Sequence, residues 1–264
     1  MAKTLTDAQV EQFVEDGFVR VDAAFPPELA ETCRTLLWDS IDPDPDDPTT
    51  WTEPVVRVWD RTDEPFRQAA NTPRLHSAFD QICGEGRWVP PASVGTFPIR
   101  FPLGTDPGDT MWHVDGSYKG STEGWYWLNV SSRDRALLML FLFSDTSDKD
   151  APTRMRLGSH LYIPPLLEHA GEEGVSLDYL LDKLDGTAHL PESEVVGEAG
   201  TVYLCHPFLV HAAQPHHGSR PRFMAQPALL PSSPLQIERA DGAYSPVEKA
   251  IRMGLDRRPS GRSA

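Results

Sequence analysis

Cysteine, positive charge and long apolar runs are what this sequence has least of, and each shortage closes off a class of function. The three cysteines, Cys33, Cys83 and Cys205, are odd in number and widely spaced. That pattern builds neither a disulfide framework nor a thiolate zinc site, so packed, reduced thiols are expected. Lysine and arginine total 24 against 39 aspartates and glutamates, a formal net charge of -15. Such a surface repels phosphate backbones and anionic headgroups, so neither nucleic acid nor membrane is expected as a partner. No apolar window reaches the roughly 20 residues needed to cross a bilayer. The opening MAKTLTDAQVEQF also lacks the apolar stretch of a secretory signal, and a cytoplasmic location is expected. Nothing in the sequence fixes the oligomeric state.

Turn formers are plentiful: 25 prolines and 19 glycines favour short strands and loops over a helical bundle. A length of 264 residues suits one elaborated β domain. Residues 1-91 read as mostly helical with a loop, 92-230 as a strand-rich core, and 231-264 as a helix and a frayed basic tail. Thr6 and Gln9 form a capping-box signature ahead of a helix that Gly17 should end. FVRV at 18-21 alternates as a strand, and PPELAETCRTLLWDSI and PRLHSAFDQICG carry helical spacing. SIDPDPDDPTTWTEP at 40-54 has too many prolines and acids for regular structure. It is either a solvated connection or a lid that brings Trp51 or Trp59 to a substrate. Strand-like runs then follow from SVGTFPIRF through DTMWHVD, WYWLNV, RALLMLFLF and TRMRL to GTVYLCHPFLVHA and RFMAQPALL. Helices are expected near VSLDYLLDKLDG and SPVEKAIRMGL.

The chemistry concentrates in MWHVD. Alternate side chains of a strand share a face, so His113 and Asp115 offer an imidazole and a carboxylate side by side. About one H-x-[D/E] match is expected by chance in a chain of this composition, so a third ligand is needed. The run GTVYLCHPFLVHAAQPHHGSRPRF holds four histidines. If the strand runs through YLCHPFLVH, Pro207 interrupts it and the five-residue spacing puts His206 and His211 on opposite faces, so only one points inward. His216 and His217 lie beside Gly218 in a turn and read as solvent-facing. Two histidines and a carboxylate leave three positions open on a metal, the arrangement suited to Fe(II) and O2, whereas zinc favours three histidines or thiolates. If the co-substrate is 2-oxoglutarate, its distal carboxylate needs a cation, and Arg222 follows His211 at a distance that allows a turn and a return strand. Arg220 is its competitor.

LTDAQVEQFVEDGFVRV, WHVD, RMRLGSH and HPFLVHAAQPHHGSRPRF, in that order over residues 5-223, resemble the phytanoyl-CoA dioxygenase-like branch of the Fe(II)/2-oxoglutarate oxygenases. The resemblance implies a mainly β fold with flanking helices around a double-stranded β-helix, or jelly roll. It implies His113, Asp115 and His211 as catalytic Fe(II) ligands and Arg222 as the anchor of 2-oxoglutarate, with His160 in a structural turn and His206 in the core or behind the ligands. Arg100 stands where some relatives place a basic contact to the co-substrate or substrate. Ala213 replaces the hydroxyl residue that relatives often carry two positions after the last ligand, so either Thr110 or Tyr203 assists or Arg222 works alone. Leu140 stands where relatives often have tryptophan.

The reaction implied consumes O2 and 2-oxoglutarate, releases succinate and CO2, and hydroxylates an unactivated C-H bond of a small metabolite or natural-product intermediate. Trp51, Trp59, Tyr118, Trp125, Trp127 and Phe208 are candidates for the substrate wall. The rival readings are a catalytically inactive jelly-roll binding protein and a cupin-like metalloenzyme that makes no use of 2-oxoglutarate.

Overall fold

Helix ends follow the local signals. Thr6 Oγ1 accepts from the Gln9 N-H while Gln9 Oε1 accepts from the Thr6 N-H, which caps α1 (Asp7–Asp16), and Gly17 stops it at φ +90°. The computed structural model describes residues 3-120 and 126-257; Trp125 and most of the basic tail lie outside the described residues. After β1 (Phe18–Val21) and α2 (Pro27–Trp38) comes the acidic, proline-rich loop. It leads into β2 (Val55–Val58), α3 (Glu64–Ala70) and α4 (Pro73–Cys83). The sequence reading contained neither β2 nor α3, because four and seven residues are too few for a period to emerge.

The remaining strands are β3 (Phe97–Arg100), β4 (Tyr118–Lys119), β5 (Tyr126–Leu128), β6 (Leu137–Leu142) and β7 (Arg154–Arg156). Then come α5 (Pro164–Leu167), β8 (Val175–Ser176), α6 (Leu177–Leu181), β9 (Glu192–Glu194) and β10 (Val202–Cys205). The last elements are β11 (His211–Ala212), β12 (Met224–Ala225), β13 (Ala228–Leu229) and α7 (Pro246–Asp256). The long helix expected near VSLDYLLDKLDG is in pieces: α6 stops at Leu181 and a short 3-10 turn follows at Leu184–Thr187.

The strands form an antiparallel double-stranded β-helix. Its larger sheet runs β1-β10-β6-β12, with β13 also on β6, and the backbone pair between Arg100 and Arg222 joins β3 and β2 to it. β1, from the helical N-terminal part, is therefore an edge of the core sheet. β6 is buried along its whole length. Leu138, Leu140 and Leu142 pack inward with Met155, Tyr203 and Met224, while Leu137, Met139 and Phe141 face the core under the helices. Covered on both faces, β6 reads as a continuous apolar run. The facing sheet is β11-β7-β9, with His113 paired to His211 at its edge.

Two prolines break the strands here, and at the first the chain changes sheet. The expected single strand GTVYLCHPFLVHA is broken after Cys205, where His206 and Pro207 start a turn closed by Leu209 N donating to His206 O at 3.0 Å. The chain leaves the larger sheet there and re-enters the facing one at His211. Pro227 likewise separates β12 from β13. DTMWHVD is not a strand: within it only His113 makes a bridge.

Candidate metal centre and active site

The pairing of His113 with His211 brings two of the expected ligands side by side. Each donates its backbone N-H to the other's carbonyl at 2.9 Å, and the rings stand 4.3 Å apart between centroids. Asp115, two residues on, completes the group, and one ligand atom from each of the three lies within 4.8 Å of the others. Asp115 Oδ1 is 3.9 Å from His211 Nε2. Both imidazoles are oriented the same way: His113 Nδ1 is 2.8 Å from Met111 O and His211 Nδ1 is 3.0 Å from Leu209 O. A carbonyl only accepts, so each Nδ1 carries the proton and each Nε2 keeps its lone pair for a metal. Burial, and then the neighbouring His113, push His211 down to about 4, so it is neutral at physiological pH. Burial opposes ionisation of Asp115, but Arg135 and the two imidazoles outweigh it and hold the carboxyl below its ordinary value. Arg135 Nη1 lies 3.1 Å from Asp115 Oδ2, an ion pair without hydrogen-bond geometry, whereas His211 is paired with Oδ1. Two imidazoles and one carboxylate grouped this closely match the donor set of a non-haem Fe(II) site.

A cavity of about 200 Å³ opens at this cluster, lined by His113, His211, Arg100, Asp109, Thr153 and Gln226. It is smaller than the roughly 300–1,000 Å³ typical for drug-sized ligands. Arg100 is 3% exposed, with Nη2 on both oxygens of Asp109 at 2.9 and 3.0 Å while Nε and Nη1 have no partner. Arg57 also pairs with Asp109. Arg222 is fully buried, its terminal nitrogens donating to Ala151 O and Pro98 O and its Nε unpartnered. Burial, then the like charge of Arg100, lowers its pKa well below the ordinary value, against the pull of Asp109 and Asp150. A guanidinium keeps its proton in proteins, so the shift expresses an excess of buried positive charge.

The other sequence candidates divide. Arg220 is exposed and stands in a separate groove of about 710 Å³ with Trp38 and Trp51. Trp51 packs on Phe101 at 5.6 Å and donates Nε1 to Asp44 O, so the proline-rich loop is pinned to the helical side, away from the histidines. Trp59 is 66% exposed and Phe208 is core, packed on His206. Tyr118 and Trp127 are cross-strand neighbours on β4 and β5, close in sequence to Asp115, and the Trp127 indole N-H is buried without a partner. Thr110 is half-buried and does not line the cavity; Tyr203 donates to Val196 O within the inner core. Thr96, Thr153 and Gln226 are the neutral polar groups at the cavity, and Ala213 also lines it. His206 Nε2 donates to Val247 O at 3.3 Å and His160 Nε2 to Val14 O at 3.1 Å, so both are structural.

His216 corrects the sequence reading: it is 3% exposed, with Nδ1 accepting from Gly218 N and Nε2 unpartnered. The turn folds inward because Gly104 N donates to His216 O at 3.0 Å. Arg135, Asp109, Thr153 and Gln226 were missed. They stand on different elements and carry no local motif, so only their convergence marks them.

Against this geometry, the family model described as phytanoyl-CoA dioxygenase matches residues 13–224. Among solved structures, HygX from Streptomyces hygroscopicus with nickel and 2-oxoglutarate bound is 22% identical, with 91% of this chain and 96% of that one covered at a TM-score of 0.57. The 2-oxoglutarate-dependent carbocyclase SnoK from nogalamycin biosynthesis is 16% identical over 87% of this chain and 86% of its own, TM-score 0.57. EctD from S. alaskensis with 2-oxoglutarate and 5-hydroxyectoine is 17% identical over 88% of this chain and 77% of its own, TM-score 0.55. A search of curated proteins found no match. The motifs, the double-stranded β-helix and the family match together show that the chain belongs to the phytanoyl-CoA dioxygenase family of 2-oxoglutarate-dependent non-haem iron oxygenases.

Proposed function

We propose that the protein hydroxylates an unactivated C-H bond of a small metabolite or natural-product intermediate, with His113, Asp115 and His211 holding Fe(II). The observation that carries this is the shared orientation of the two imidazoles, each with Nδ1-H tied to a carbonyl and Nε2 free, around one carboxylate. When bound, the iron with 2-oxoglutarate and O2 supplies the oxidising chemistry, and succinate and CO2 leave as co-products.

The protein's own residues perform the rest. Asp115 stays ionised and offsets a dication's charge, and the two histidines supply nitrogen donors. Arg100, which lines the cavity with two unpartnered nitrogens, holds the distal carboxylate of the keto acid, and Arg222 behind it adds charge and rigidity. Thr153 and Gln226 replace the hydroxyl that Ala213 lacks. The cavity's small volume excludes bulk water once the keto acid is in place. Tyr118 and Trp127 form the substrate wall on the Asp115 side. The hygromycin B held by HygX and the 5-hydroxyectoine held by EctD are polar small molecules, which supports a substrate of that size. No described helix is long and apolar enough to cross a membrane. All three cysteines are buried and unpaired, which suits a cytoplasmic setting.

Two measurements test this reading: calorimetric binding of 2-oxoglutarate to metal-loaded protein, and iron-dependent succinate formation followed by NMR. Chelator should abolish both, and His211→Ala should bring succinate below detection. Metal-loaded protein that does not bind 2-oxoglutarate would sink the proposal in favour of an inactive barrel or a metalloenzyme of another kind.

A further inference from the structure

Asp115 has two oxygens and the structure uses them differently. Oδ1 lies toward His211 at 3.9 Å, whereas Oδ2 lies 3.1 Å from Arg135 Nη1. The guanidinium is tethered: its Nε donates to Gly116 O at 3.3 Å, the carbonyl of the residue after the ligand, and only 16% of the side chain is exposed. Its backbone is held as well. Arg135 N donates to Ser132 O at 3.2 Å, Ser132 Oγ donates to Arg135 O at 2.6 Å, and Ser132 itself sits at φ +42°. The next residue, Ala136, donates to Leu229 O at 2.8 Å at the entrance to β6, the central strand of the larger sheet. A cation is thus held beside one oxygen of the ligand carboxylate, as an ion pair without a hydrogen bond, from a tethered turn that leads into β6.

The consequence is a matter of counting positions. A carboxylate binds a metal through one oxygen or through both, and with two histidines the second mode leaves two open positions instead of three. A chelating keto acid then leaves none for O2. We infer that Arg135 is a positioning residue that keeps Asp115 a one-oxygen ligand and so preserves room for both the keto acid and oxygen. This rests on the function proposed above. It makes an unusual demand: because Arg135 competes with a dication for the same carboxylate, removing it should leave metal affinity equal or tighter while weakening the keto acid.

The test compares Arg135→Gln, Arg135→Met and Arg135→Lys with wild type, using Co(II) titration with its visible spectrum and calorimetric binding of 2-oxoglutarate to the Co(II) form. The expected result for Gln and Met is retained or tightened Co(II) binding, a wild-type thermal melt, a Co(II) spectrum indicating one more protein ligand, and keto acid binding weakened by roughly 10-fold or more. The Lys variant, which still offers a cation, should recover part of that loss. Co(II) and 2-oxoglutarate affinities falling in parallel would reduce Arg135 to a structural support and overturn the inference. So would keto acid binding within twofold of wild type, whatever the metal does. Wild-type Co(II) protein that fails to bind 2-oxoglutarate would instead remove the function proposed above, and this inference with it.

Discussion

Replacing Arg100 with methionine separates what a buried charge does for stability from what it does for binding. The guanidinium is 3% exposed, its Nη2 meets both oxygens of Asp109, and Nε and Nη1 have no partner. Asp109 is 28% exposed and keeps Arg57, so losing this ion pair removes at most about 1 kcal/mol. Against that, two desolvated donors, each worth about 1–3 kcal/mol of penalty when unsatisfied, disappear, together with the repulsion on Arg222. The metal-free protein should therefore hold its stability or gain about 1–3 kcal/mol, which raises Tm by about 2 °C or more per kcal/mol for a chain of this size. The keto acid should lose charge-assisted hydrogen bonds worth about 1.5–3 kcal/mol, a roughly 10- to 150-fold weaker Kd. Thermal melts without ligand and calorimetry with 2-oxoglutarate on the metal-loaded form read the two effects separately. A variant destabilised by more than about 2 kcal/mol would show that the guanidinium is a structural element, and one binding 2-oxoglutarate within twofold of wild type would show that it does not reach the co-substrate.

Burial lowers the pKa of His160 from 6.5 to about 4. Its folded value lies below its unfolded one, so its stabilisation is complete above pH 6.5, falls as pH drops toward 4 and levels off below, a loss of about 3 kcal/mol. Urea unfolding across that range should show the decline, to which His211 adds, and His160→Gln should reduce its slope; an unchanged slope in the variant argues against this origin. Gly17→Ala adds a Cβ 2.5 Å from His160 Nδ1 at a backbone φ of +90°. A melt should register a loss of about 1–3 kcal/mol, and a neutral result would mean the helix end repacks freely. Ala213→Ser restores a hydroxyl at the cavity wall, and one added hydrogen bond of about 1 kcal/mol should tighten 2-oxoglutarate roughly fivefold by calorimetry.

The sequence by itself determined what depends on neighbours along the chain. The capping box at Thr6 and Gln9 and the glycine stop at Gly17 could be read because each involves residues within one turn. The continuous apolar run of β6 was visible because it is buried on both faces. The spacing of His113 and Asp115 marked a pair of donors, and Pro207 marked a break between His206 and His211, though not what the break achieves. The tertiary structure decided the rest. It turned His216 from an expected surface residue into a buried one, pinned Trp51 to the helical side, and set Arg100 into the cavity wall with Arg222 behind it. It also set Arg135 against Asp115, twenty positions away in sequence. The physical reason is that these contacts join separate strands, whose pairing is fixed by burial of the whole sheet and leaves no periodic trace in any one segment.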